Sequence, residues 1–449
     1  MSNVRRVHEH AINGVTLYHF ARLLGEACLD HNAEIRQALD DPLAAELIEE
    51  ISKRVAAVDP LLWRDPGPAG GFVAIIDGAG GGLTALLEDA EAWGALPHCA
   101  VLRGLCAVAL HDAFIAEDEE VVLDRGSVIP YRVRPVSAAL GKPTPHPSTS
   151  TLLQPLYPHP FDLFARSSGD VARVILDFRH RDRLDEIMGQ EGRELPRIGT
   201  YHPSLRRSDL SMTTTETSFF DVAPKHFVLA QLDEELRAAR SDGADVVVAP
   251  ELSRPARSDL AARLAAEPSA YPPIVIAGSA HVRQSSSGPE VRSNACEVYI
   301  DGQPAMVHHK IHPFQLPGRH RKLMEDLTGE PKALRVLCGS DTRLAVAICS
   351  DLNDKVIPYL LADAWVNMLF VPALTTDIGA FNGALALLAS TCQAFGIIVN
   401  GAVDSPPFHV MAAVPVPQPG TQVQTYFAPG HPPDARGTFD PNVPTMTWR

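Results

Sequence analysis

The chain has 449 residues, of which 45% are apolar, and a formal net charge of −15 at pH 7. That length exceeds one ordinary hydrophobic core, so two domains are expected, and the apolar content excludes a disordered chain. The acidic balance excludes a nucleic-acid partner held through a basic face, and 7 cysteines at irregular spacing, without a Cys-x-x-Cys pair, exclude a disulfide framework and a zinc ribbon in favour of reduced thiols in the cytoplasm.

The opening residues, Met1 to His10, include basic side chains with no apolar run behind them, so no signal peptide is expected. Leu17, Phe20, Leu23 and Leu24 recur at helical spacing. Leu43, Leu47, Ile51 and Val55 do so again after the start signal Asp40-Asp41-Pro42. Pro60 and Pro66-Gly67-Pro68 close this section. Next come a strand pattern, Gly71 to Asp77, a loop Gly78-Ala79-Gly80-Gly81-Gly82, and a helical stretch from Leu83 to Trp93. Exposed N–H groups at such a place attract anions, but the loop lacks the Gly-Lys-Ser/Thr ending of a P-loop and misses the dinucleotide fingerprint. A flexible turn is the plainer reading.

Val101 to Ala116 reads as a buried helix, and Glu120 to Val136 alternates like strand. Prolines crowd Gly141 to Pro160, which reads as a linker ending an N-terminal module. The charged stretch 170–190 reads as a helical connector. The expected organisation is a mostly helical domain over 1–165, a connector over 166–194, and an α/β domain over 195–449 with a proline-rich tail from Phe408.

From Leu195 the pattern changes. Arg197 to Tyr201 is a short strand candidate, and Leu229, Leu232 and Leu236 give Phe227 to Arg240 the apolar face of a helix. Apolar runs then end at Ala249, Gly278, Ile300, Ile348, Val371 and Val399, with helical patterns at Val356 to Ala364 and Gly383 to Phe395. Strands alternating with helices predict an α/β domain with buried sheets. The most membrane-like run, Tyr359 to Leu374, is broken by Asp363 and Asn367 and is too short to span, so no membrane partner is expected.

Three of these runs each end near a reactive side chain. Glu251 follows Val246 to Pro250, and a partly desolvated carboxylate there can serve as a general base. Lys310 lies in an extended segment after the turn signal Asp301-Gly302, and an ammonium can hold an oxyanion. Cys349 follows Leu344 to Ile348 and precedes a helix pattern, a place where a thiol would be acidified and exposed. Taken singly, each has a plain alternative: a solvated acid, a surface lysine, a small buried hydrophobe. His308, His309, His312 and His320 suggest a metal cluster, but His309 and His312 fall on opposite faces of an extended segment and match no zinc motif.

Further stretches accompany the three. Gly243 to Glu251, Ile276 to Ser279, Ser293-Asn294-Ala295, Asp301-Gly302-Gln303, His309 to Phe314, Ile348 to Leu352 and Phe370 to Ala373 occur in that order. Together they resemble the carbon–nitrogen hydrolases of the nitrilase superfamily over about residues 195–405. The resemblance implies a four-layer α-β-β-α sandwich and a Glu–Lys–Cys triad on Glu251, Lys310 and Cys349. A second glutamate is implied between lysine and cysteine, with Glu325 nearest the expected spacing and Glu330 the alternative. It also implies attack by the Cys349 sulfur on a carbonyl carbon, an oxyanion held by Lys310 and the Ser350 N–H, and chemistry that uses neither metal nor cofactor. Ser350-Asp351 after the thiol is closer to the amidase and carbamoylase branches than to true nitrilases, which tend to have Trp-Glu there. A small amide or N-carbamoyl compound is therefore the expected substrate.

Asn353 stands where many relatives have arginine, and Leu388 to Cys392 replaces their usual Arg-Ala pair. The alternatives are a regulatory or binding module on the same fold, and acyl transfer or ammonia supply to a partner. The region 1–165 is the expected place for a protein partner or a homo-oligomer contact.

Overall fold

The computed structural model describes residues 171–188 and, with short interruptions, 195–448; before residue 171 it describes only scattered positions. Among those, Glu46, Glu50, Ile51, Arg54 and Val55 are helical, in keeping with the spacing of Leu43 to Val55. The glycine loop 78–82, the linker 141–159, His320 and Glu330 lie outside the described residues. The chain divides into two compact units, one of 1–133 with 145–162, the other of 134–144 with 163–449.

The second unit begins with β1 (Val171–Asp177) and α1 (Arg181–Met188). The charged stretch expected to be a helical connector is therefore half strand. Its Val-Ala-Arg-Val-Ile-Leu core is rich in β-branched residues, and that preference prevails over the flanking charges. There follow β2 (Ile198–Tyr201), β3 (Leu210–Thr214), β4 (Ser218–Pro224), α2 (Leu229–Ser241), β5 (Val246–Val248) and α3 (Leu260–Ala266). Then come β6 (Ile274–Gln284), β7 (Val291–Ile300), β8 (Gln303–His309), β9 (Gln315–Leu316), β10 (Leu323–Glu325), β11 (Lys332–Cys338) and β12 (Arg343–Val346). The unit continues with α4 (Ile357–Asp363), β13 (Met368–Ala373), α5 (Asn382–Cys392), β14 (Phe395–Asn400), β15 (Phe408–Val416), β16 (Gln422–Pro429), β17 (Arg436–Asp440) and β18 (Thr445–Trp448).

One mixed sheet runs β1-β11-β12-β13-β14-β15-β16, and a second runs β8-β7-β6-β5-β2-β17-β18. Their centres are parallel, β12 with β13 and β14 in the first, β6 with β5 and β2 in the second; the flanking pairs are antiparallel except β1 with β11, which is parallel. Such parallel centres need cover on both faces, which explains the unbroken apolar runs. On the second sheet, α2 and α3 supply it: Leu232, Leu236, Ala239, Leu260 and Leu264 pack with Val247, Val275 and Tyr299. On the first, α4 and α5 lie together, and the Leu385 side chain sits over Gly396. Among the described residues no helix is long and apolar enough to cross a membrane.

The described residues of the tail from Phe408 include four strands. β15 and β16 extend the first sheet, and β17 then pairs with β2 in the second. A third, small sheet, β9-β10-β4-β3, has no counterpart in the sequence reading; two of its strands, β9 and β10, have two and three residues and leave no periodic trace. It positions one of the residues considered next.

Candidate active site

The hairpin of β7 and β8 turns through Asp301 and Gly302, which have φ of 46° and 74°. A two-residue turn with both φ positive matches the twist of antiparallel strands and fixes their register. In that register Ala295 faces His309, and the Lys310 N–H donates to the Asn294 carbonyl at 2.8 Å. The lysine thus leaves the strand end on the buried face, only 2% exposed.

Glu251 sits just past β5. Its turn passes under Gly278, where a Cβ would collide with the Pro250 carbonyl and the Ser253 hydroxyl. With φ of 71°, that position needs glycine on two counts. Leu252 next to Glu251 is itself left-handed, at φ 56°, and its N–H is bonded to the Ser279 hydroxyl at 3.2 Å.

Lys310 lies between two carboxylates. Its Nζ is 2.6 Å from Glu251 Oε1 and 2.8 Å from Glu325 Oε2. The small sheet brings in Glu325, through parallel pairing of β10 with β4. The fourth side chain is Cys349, whose thiol is hydrogen-bonded to Glu251 and to the Leu374 backbone. Glu251, Lys310, Cys349 and Glu325, expected to act together from the resemblance, are thus gathered into one cluster. Ser350 is adjacent and buried, with its hydroxyl donating to the His312 carbonyl at 2.8 Å.

Cys349 differs from its expected setting. It opens a 3-10 turn, Cys349–Asn353, not a helix, and has φ of 46°. A non-glycine residue there is strained, and the surrounding contacts must hold it. It is 3% exposed, so it is not an open, acidified thiol. Burial and the neighbouring Glu251 carboxylate push it well above its ordinary pKa, with Lys310 opposing. At neutral pH the sulfur rests as a thiol, and any thiolate must be made by proton transfer. Burial also pushes Cys296 and Cys338 up to about 12.

The two carboxylates are pushed in opposite directions. Burial raises Glu251, and neighbouring Glu325 adds to this against the pull of Lys310. Burial opposes ionisation of Glu325 as well, yet the Lys310 ammonium and a hydrogen bond from His281 hold it well below the carboxylate range. Lys310 is buried too, and the two carboxylates keep it well above its ordinary value. The arrangement therefore pairs a fixed anion and a fixed cation with a carboxylate primed to take a proton from a thiol.

Three further residues complete the site. Asn294, fully buried, donates from Nδ2 to Oε1 of both Glu251 and Glu325, at 3.0 Å each. His281 Nε2 is 2.9 Å from Glu325 Oε1. Asp351 ties the thiol turn to the lysine strand: its Oδ1 accepts from the N–H groups of Ile311 (2.8 Å) and His312 (2.7 Å). Its Oδ2 accepts from the Ile348 N–H (2.9 Å) and lies 3.1 Å from His308 Nε2. Asn294 and Asp351 fall inside the quoted motifs, yet nothing in residue type marks them as bridges. His281 lies in a strand with no signal of its own. Of the histidines weighed as a metal cluster, His308 is committed to Asp351 and His312 lies 3.1 Å from Asp354.

No family model matches the chain, and no curated protein matches it. Among solved structures it is similar to an amidase from Nesterenkonia sp., at 17% identity over 53% of this chain and 91% of that one, with a TM-score of 0.34. An alanine-for-cysteine mutant of the Nesterenkonia AN1 amidase from the nitrilase superfamily gives the same figures. A glutamate-to-glutamine mutant of the AN1 amidase, showing covalent addition of the acetamide moiety of fluoroacetamide at the active site cysteine, matches at 16% identity over 53% of this chain and 91% of that one, with a TM-score of 0.35. With TM-scores this low, the function must be argued from the site's own geometry.

Proposed function

We propose that the second unit is a thiol hydrolase of small amides or N-carbamoyl compounds, built on the helix–sheet–sheet–helix layering of the carbon–nitrogen hydrolases. What supports the reading is one observation: a buried thiol bonded to a carboxylate of raised proton affinity, with an ammonium 2.6 Å beyond it. Nucleophile, base and electrophile are in contact, which the chemistry of acyl transfer requires.

In the proposed cycle Glu251 takes the Cys349 proton as the sulfur bonds to the substrate's carbonyl carbon. Lys310 and the Ser350 N–H hold the resulting oxyanion, in a site where burial strengthens both interactions. The oxyanion collapses, the carbon–nitrogen bond breaks, and Glu251 returns its proton to the departing ammonia or amine. Water then enters, loses a proton to Glu251 and adds to the thioester carbonyl. The carbon–sulfur bond breaks, the acid is released, and Cys349 regains its proton. Glu325 keeps its charge throughout and anchors Lys310. Within this proposal the hydrolase domain is residues 195–449 together with β1 and α1, which the expected connector over 166–194 contains, and residues 1–165 form a separate domain.

The test is intact-protein mass spectrometry with a panel of small amides and N-carbamoyl compounds, alongside product assay. The wild type is expected to give an acyl adduct and product from at least one compound. Cys349→Ala is expected to give neither while keeping its thermal transition. A wild type that forms neither adduct nor product across the panel overturns the proposal.

A further inference from the structure

Lys310 and Asn294 cannot by themselves decide which carboxylate acts as the base. The ammonium contacts both glutamates at nearly equal distance, and Asn294 Nδ2 is 3.0 Å from each. Apart from the Cys349 thiol on Glu251, the donors that touch only one of them are the Phe314 N–H, 2.9 Å from Glu325 Oε2, and His281 Nε2, 2.9 Å from Glu325 Oε1. The first belongs to the backbone. His281 is thus the one side chain among the described residues whose hydrogen bond falls on Glu325 and not on Glu251.

The fold fixes the direction of that bond. The Val222 N–H donates to His281 Nδ1 at 2.9 Å, so Nδ1 must carry a lone pair. The proton of the neutral ring is then on Nε2, where it can only donate to the carboxylate. The ring stacks on Phe220 with centroids 4.5 Å apart and planes 2° from parallel, which prevents it from flipping. In β6 the residue faces Asn294 of β7, which in turn carries Lys310 through its carbonyl, so the three occupy successive strands. His281 is 4% exposed, away from solvent that could replace the bond.

We infer that His281 is a positioning residue which, by donating to Glu325 alone, keeps that carboxylate an anchored anion and leaves Glu251 as the base for Cys349. This rests on the proposed hydrolase reading. A carboxylate that accepts more hydrogen bonds holds its charge more firmly, and one that accepts fewer retains affinity for a proton. Unequal donor sets around a shared ammonium therefore assign the two roles.

Two substitutions separate this role from a structural one. His281→Gln reaches far enough to donate an amide N–H to Glu325 but gives up the ring nitrogen facing Val222. His281→Asn can still accept from Val222 but is too short for Glu325. Turnover of a susceptible amide and alkylation of Cys349 by iodoacetamide are measured for both, with Cys349→Ala as the alkylation blank. The His281→Gln variant is expected within about threefold of wild type in kcat, and the His281→Asn variant about tenfold or more below it, with KM little changed in either. Alkylation rates are expected in the same order. In a Glu325→Gln background the difference between the two is expected to vanish, since coupled residues are not additive.

A His281→Asn variant as active as His281→Gln, or more so, overturns the inference. So does a difference that survives in the Glu325→Gln background, or loss of the thermal transition in both variants, since each makes the imidazole a matter of folding. If the wild type turns over no amide, the hydrolase reading fails, while the alkylation order still decides the role of His281.

Discussion

Two buried polar clusters in the second unit meet the same desolvation problem in opposite ways. Around Lys310 the charges are kept, and each is offset by an opposite charge and several donors. At His202, which packs beside His409, the charge is removed. These two imidazoles stack with centroids 5.3 Å apart, and His202 is bonded to the Asn400 carbonyl and the Thr200 hydroxyl, at 2.9 Å each. Burial holds His202 down to about 3, and His409 beside it adds to the effect, against the Asn400 bond. The neutral His202 ring can tie strands together but has no proton to exchange near neutral pH. The charged cluster is costlier to bury and is the one equipped for chemistry.

The comparison is broken most severely by taking away the cation. Lys310→Met leaves Glu251 and Glu325 buried without a counter-charge and should cost about 3–5 kcal/mol in denaturant unfolding, with complete loss of turnover. Adding Glu325→Gln should recover part of the stability and none of the activity. A midpoint unchanged by Lys310→Met would mean that the cluster is not held by charge.

A smaller effect is expected where the cluster meets the thiol turn. Asp351 accepts at both oxygens, so Asp351→Asn must present an N–H to at least one backbone donor. A loss of about 2–3 kcal/mol is expected, together with slower alkylation of Cys349 as its strained turn relaxes. Full stability with unaltered thiol reactivity would show that the turn does not depend on this carboxylate.

The mildest perturbation is acid, and it should strike His202. In the unfolded chain His202 takes a proton near pH 6.5, whereas in the folded state it stays neutral to about pH 3. Its contribution is therefore complete above pH 6.5 and is lost as pH falls from there towards 3. By pH 5 the loss is about 2 kcal/mol, and His202→Gln should lack that part of the slope. A variant with the same pH slope as wild type would assign the acid sensitivity to other groups.

Long apolar runs made much of this unit legible in sequence. Val246 to Val248, Met368 to Ala373 and Phe395 to Asn400 lie close to where periodicity puts them, because a parallel strand buried on both faces leaves an uninterrupted apolar signal. Glu251, Lys310 and Cys349 were visible as reactive groups at the ends of such runs. Their gathering followed from a resemblance and not from any one residue. What escaped has a shared cause. β9 and β10 are too short to carry a period, and His281 acquires its meaning only from Val222, Phe220 and Glu325, none of them near it in sequence. The tail from Phe408 was legible only as proline-rich; Pro429 falls in the edge strand β16 and Pro415 in β15 beyond its pairing with β14, places where a missing N–H is tolerated.

The pairing of β17 with β2 also governs when this unit can become complete. Thr200 bonds to the carbonyl of Gly437, a partner 237 positions further along the chain. Until residues 436–448 dock, β2 presents a bare edge of unpaired N–H and C=O groups to its surroundings, and bare edges recruit strands from other molecules. So distant a contact is also slow to form. A growing or truncated chain that already holds its lysine, glutamates and thiol would thus remain sticky until its own final ribbon seals the sheet.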